Sequence, residues 1–174
     1  MVITPDTKNW TWTAKRRCPE CGFDASAIDR LAVPERVRAN AEAWPNALAR
    51  PDVRERPDEQ TWSPLEYAAH VRDVHRVYTQ RLERFLAEDN PTFINWDQDQ
   101  AALADQYNEQ DPAVVLAELA EAAEAAASGF EGVPADAWTR TAERTDGATF
   151  TLESFARYYL HDVVHHLWDV TYRR

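Results

Sequence analysis

Between Phe150 and Val170 one stretch carries two different stripes at helical spacing, and any fold must bury the first and find a use for the second. Leu152, Ala156, Tyr159, Leu160, Val163, Val164 and Leu167 recur every three or four residues and define an aliphatic face. His161 and His165 stand on the other stripe with Ser154, Tyr158 and Trp168. Residues four apart on a helix lie one above the other, with Cβ atoms about 5–6 Å apart. Two imidazoles converging at that distance are what a single helix can offer a divalent metal. Solvated surface offers the same pair, so a third ligand from elsewhere is needed to give it meaning.

That third candidate lies in the helix opened by Ser63-Pro64-Leu65-Glu66, a capping box with proline at the first helical position. The helix is expected to run to about Leu86. Tyr67, Val71, Val74, Tyr78, Leu82 and Phe85 form its apolar arc, with Arg72, Asp73 and Arg76 opposite. His70 falls inside the edge of the arc, next to Val74 and Val77. His75 sits about 140° around from His70, too far to share its ligand. His166 is expected to face the other side of its own helix.

The remaining punctuation points the same way. Pro34-Glu35 opens a helix carrying Val37, Ala41, Trp44 and Leu48 inward, which Pro45 should kink or split. Asp97 to Asn108 reads as a short helix with Leu103 and Tyr107 inward. Asp111-Pro112 opens an alanine-rich helix from Ala113 to Ser128, ended by Gly129, Gly132 and Pro134. Asp146-Gly147 predicts a turn in a short hairpin, after which Thr151 caps the last helix. Only four glycines interrupt the chain, and each long helix has one apolar stripe. The expected fold is all-α, a four-helix bundle over residues 29–174. Residues 1–28 are expected to be an extended arm that packs Trp10, Trp12, Phe23 and Ile28 onto it.

Composition narrows the function. A formal charge of −11 repels phosphate backbones, so no nucleic-acid partner is expected. No apolar run approaches the ~18 residues of a membrane span. The start of the chain lacks a basic-then-apolar signal pattern, so a cytoplasmic location is the expectation. The arm contains the only cysteines, Cys18 and Cys21, in Arg17-Cys-Pro-Glu-Cys-Gly-Phe23. Cys-Pro-x-Cys-Gly has the form of one zinc-ribbon knuckle, but no second knuckle follows. Three readings stay open: an inert turn, a second metal site completed by histidine or carboxylate from elsewhere, or a redox pair.

Three segments together resemble the DinB/YfiT-like superfamily of metal-dependent four-helix-bundle enzymes. They are Trp62-Ser-Pro-Leu-Glu-Tyr-Ala-Ala-His70, Phe150-Thr-Leu-Glu-Ser-Phe155 and His161-Asp-Val-Val-His165. The resemblance spans residues from about 30 to 172, and the CPECG arm resembles an N-terminal extension of some actinobacterial members. It implies a divalent metal held by His70, His161 and His165, with zinc foremost and nickel or iron acceptable to the same ligands. Glu66, Tyr158 and Asp162 are then candidates to orient those ligands or line the pocket. The resemblance further implies a homodimer and a small-molecule substrate. The chemistry it implies is that of a hydrolase or of an S-transferase using a low-molecular-weight thiol such as mycothiol. The alternative is a non-catalytic metal-binding or interaction protein of the same fold.

Overall fold

Capping side chains open all but the first of the long helices in this computed structural model, which describes residues 8–172. Residues 1–7 of the expected arm and the last two of the chain lie outside the described residues. α1 (Val33–Ala47) has Pro34 in its first turn, and a 3₁₀ turn capped by Asp29 leads into it. α2 (Pro64–Ala87) opens on the full capping box, with Ser63 Oγ accepting from Glu66 N and Glu66 accepting from Ser63 N. A short α3 (Gln98–Ala104) is capped by Asp97, and α4 (Pro112–Glu131) by Asp111. In front of α5 (Leu152–Tyr172), Thr151 and Ser154 exchange reciprocal hydrogen bonds of 3.1 and 2.9 Å.

The four long helices form the bundle. α2 packs on α4 and α5, and α1 packs on the same two, so α1 and α2 stand diagonally opposite although consecutive in the chain. Leu65, Leu82, Phe85, Leu119, Leu152 and Phe155 are among the fully buried side chains of the core. Tyr78 of α2 stacks between Phe155 and Tyr159 of α5, with centroids 4.6 and 4.8 Å away. Asn40 of α1 ties down α5 by donating to the Val163 carbonyl at 3.0 Å, while its own oxygen accepts from Trp44 Nε1.

Several expectations are corrected. Gly129 lies inside α4 rather than ending it, because a Cβ there would stand 3.1 Å from Leu82 of α2 and the two helices need that gap. Pro45 does not split α1 into two helices; it lies inside the helix, with only Asn46 and Ala47 after it. Tyr107 is buried as expected, but in a 3₁₀ turn after α3, and Leu103 is 45 % exposed. Arg72 is buried: it pairs with Asp73 and Glu118, while Asp73 accepts from Tyr107 Oη at 2.6 Å. The expected hairpin exists as β2 (Thr141–Arg144) and β3 (Thr149–Thr151), antiparallel, turning at Gly147 with φ +88°. A parallel strand β1 (Thr92–Phe93) adds to its edge. Arg140 anchors this sheet to the end of α2 by donating to the Phe85 and Glu88 carbonyls.

The arm is not extended throughout. It folds in 3₁₀ turns at Thr11–Ala14 and Ala25–Ala27 and lies against α5. Trp10 reaches His161 and His165, with centroids 5.9 and 5.1 Å away.

Candidate metal centres

The run His161-Asp-Val-Val-His-His166 contains two i,i+4 pairs, 161/165 and 162/166, offset by about 100° on the helix surface. The two pairs face different partners. The expected triad His70, His161 and His165 therefore does not form one group in the structure. His70 of α2 gathers with Asp162 and His166, whereas His161 and His165 gather with Cys18 and Cys21 of the arm. Within each group the potential ligand atoms all lie within 4.8 Å of one another.

The first group is built around His70, which the capping box places on the second turn of α2, fully buried. Its ring lies parallel to Trp96 at 5.4 Å, against Trp62 at 4.9 Å, and meets the edge of His166 at 4.7 Å. Neither ring nitrogen has a hydrogen-bond partner. Leaving a buried polar group unsatisfied costs about 1–3 kcal/mol, a cost that a partner for these nitrogens would remove. Burial first, then the neighbouring His166, pushes the His70 imidazole down to about 3 and keeps it neutral. His166 is the opposite case. Burial alone would lower it, but Asp162 Oδ1 at 3.0 Å from Nε2 and Asp169 Oδ2 at 3.2 Å from Nδ1 raise it to about 9. Burial works to raise Asp162, yet the bond from His166 holds it down at about 2. A neutral imidazole thus faces a carboxylate and a second imidazole that carries a proton.

Behind Trp62 and Tyr67 lies a cavity of about 440 Å³, lined also by Arg50, Arg56 and Asp169. None of His70, Asp162 and His166 lines it, but two wall residues adjoin them: the Trp62 ring stands 4.9 Å from His70 and Tyr67 5.2 Å from His166. Glu66 does not orient His70. Its carboxylate serves Ser63 and Arg56, whose bonds outweigh the raising effect of burial and hold it below the usual range. Tyr158 stacks on Phe150 at 5.6 Å under the Arg144 guanidinium, one turn before Asp162. His75 is buried away from both groups, its Nδ1 2.5 Å from Tyr159 Oη.

The second group joins chain ends that are far apart in sequence. Cys18 Sγ lies 3.8 Å from His165 Nδ1, and Cys21 Sγ lies 3.8 Å from His161 Nε2. The cysteine turn is tight: Gly22 N donates to the Cys18 carbonyl, Cys18 N to the Phe23 carbonyl, and Gly22 adopts φ +73°. Both cysteines are free. Burial, before any other influence, lowers His161 to about 4 and also lowers His165, so both imidazoles are neutral.

Residues 35–170 match the DinB superfamily. The chain belongs to that family. The match includes both histidine-bearing helices and begins after the arm, so this DinB member carries Cys18 and Cys21 outside the matched region. Its fold is similar to that of YfiT from Bacillus subtilis, described as a probable metal-dependent hydrolase with an unusual four-helix bundle topology. The similarity has a TM-score of 0.70 at 17 % identity and covers 95 % of this chain and 98 % of the other. No curated protein matches the chain. No helix among the described residues is long and apolar enough to cross a membrane.

The sequence points to Asp162 only as a group that orients ligands or lines the pocket, and sets His166 on the other side of its helix. The signal that could have found them is the second i,i+4 pair in the same six residues. Spacing alone does not say which of two adjacent stripes turns toward α2.

Proposed function

We propose that this DinB protein is a metal-dependent hydrolase whose ion is held by His70, Asp162 and His166 beside the 440 Å³ cavity. The observation that carries the reading is His70: a fully buried imidazole, both nitrogens unpaired, facing a carboxylate and a second imidazole. Two histidines and one carboxylate accept zinc, iron(II) or nickel and leave coordination positions free, as a catalytic site requires. An ion so held supplies Lewis-acid chemistry for hydrolysis at neutral pH. Trp62 and Trp96 fix the His70 ring and exclude water from its faces. Asp169 accepts from His166 Nδ1, which would leave Nε2 to serve as the ligand atom. Hydrolysis is preferred to thiol S-transfer because the structural relative is described in those terms.

Elemental analysis of tag-free protein tests this reading together with a panel of ester, amide and phosphoester substrates assayed with and without chelator. His70→Ala is expected to lose an equivalent of metal and at least 100-fold in chelator-sensitive turnover, roughly the scale of losing a directly engaged catalytic group. Unchanged metal content in His70→Ala, or turnover indifferent to chelation, would overturn it.

A further inference from the structure

The structure assigns a second metal site, independent of the hydrolytic reading: Cys18, Cys21, His161 and His165 form a closed Cys₂His₂ zinc site that fastens the arm to α5. Tetrahedral zinc bonds of about 2.3 Å to sulfur and 2.0–2.1 Å to nitrogen put neighbouring ligand atoms about 3.3–3.8 Å apart. Two of the sulfur–nitrogen pairs here measure 3.8 Å, and all four ligand atoms fall within 4.8 Å of one another. The cysteines are delivered by a knuckle-type turn and the histidines by consecutive turns of one helix, so both pairs arrive with the spacing that one ion needs. A thiolate pair selects a soft or borderline ion, which separates this site chemically from the oxygen-and-nitrogen group around His70.

Four protein ligands leave no open position, so the site is structural rather than catalytic. Its surroundings support that role. Cys18 is fully buried, and Trp10 covers the two imidazoles from the arm side. His165 turns Nδ1 toward Cys18 and Nε2 toward Asp169, 3.8 Å away, which would orient the ring as a ligand. Asp169 also accepts from His166, so fastening the arm braces the carboxylate that serves the other group.

Cobalt(II) replacement reads the two groups separately, because only a thiolate site gives a sulfur-to-cobalt charge-transfer band. Full-length, tag-free protein, stripped under reducing conditions and titrated with cobalt, is expected to show that band together with intense tetrahedral d–d bands. The band should vanish in Cys18→Ser and Cys21→Ser and persist in His70→Ala. A His70→Ala protein that keeps the band but hydrolyses nothing would leave this assignment standing and bear only on the catalytic one. Native protein never exposed to chelator should resist a thiol reagent at both cysteines until chelator is added. That titration needs no variant and decides the matter if the serine variants fail to fold. No charge-transfer band in the wild-type protein, or two thiols that react at once without chelator, would overturn the assignment.

Discussion

Asp169 is the side chain on which the two groups converge. It is 3 % exposed, with Oδ2 3.2 Å from His166 Nδ1 and 3.8 Å from His165 Nε2. A carboxylate in that position fixes which imidazole nitrogen faces the ion and raises its basicity, and losing such a partner typically costs 10–100-fold in metal affinity. Asp169→Asn keeps the shape and removes the charge. It is therefore expected to weaken metal binding at the His70 group about 10–100-fold while leaving the cobalt–thiolate band in place, since His161 and both sulfurs are untouched. Competition with a chromophoric chelator measures the first effect. An affinity unchanged within twofold would show that Asp169 does not support His166 as a ligand.

At the scale of single elements, the capping box on α2 positions chemistry as well as helix. Ser63 holds Glu66 N, and its hydroxyl reaches Asn108 Oδ1 at 2.9 Å, so the turn that presents His70 is tied to the loop after α3. Ser63→Ala is expected to cost about 1–2 kcal/mol of stability, seen as a lower urea midpoint, with the thiolate-site cobalt spectrum unchanged. An unaltered midpoint would mean the box contributes nothing beyond what packing already fixes. The box was readable from Ser63-Pro64-Leu65-Glu66, as were the Asp111-Pro112 start, the Asp146-Gly147 turn and the apolar stripes that required a bundle. Caps and periodicity are local rules, and they apply before anything packs. What escaped the sequence was relational. His161 and Asp162 begin rival ligand pairs one residue apart, and only the docking of α2 against α5 decides which pair meets His70. Gly129 has the look of a helix end until Leu82 stands opposite it. The partners of the cysteine turn lie 140 and 147 residues away, beyond the reach of any spacing rule.

Across the whole molecule, burying neutral histidines makes the fold sensitive to acid, and His75, which belongs to neither ligand group, shows the effect. It is fully buried against Tyr159, and burial pushes it from the ordinary 6.5 down to about 3, only partly opposed by the Asp162 charge. Its folded-state value lies below the unfolded one, so as pH falls the unfolded chain takes up the proton first. The stability it contributes is fully present above about 6.5 and is lost progressively as pH falls toward about 3. At pH 5 the loss from this one residue amounts to about 2 kcal/mol. His75→Gln offers Tyr159 a neutral partner and has nothing to titrate. In chelator, so that metal release does not enter the comparison, urea unfolding at pH 7.5 and pH 5 should show the variant losing about 2 kcal/mol less than the wild-type protein between the two conditions. Parallel losses in both proteins would mean that the buried imidazole is hydrated or already protonated in the fold, and the acid sensitivity would then have to originate elsewhere among the buried groups of α2 and α5.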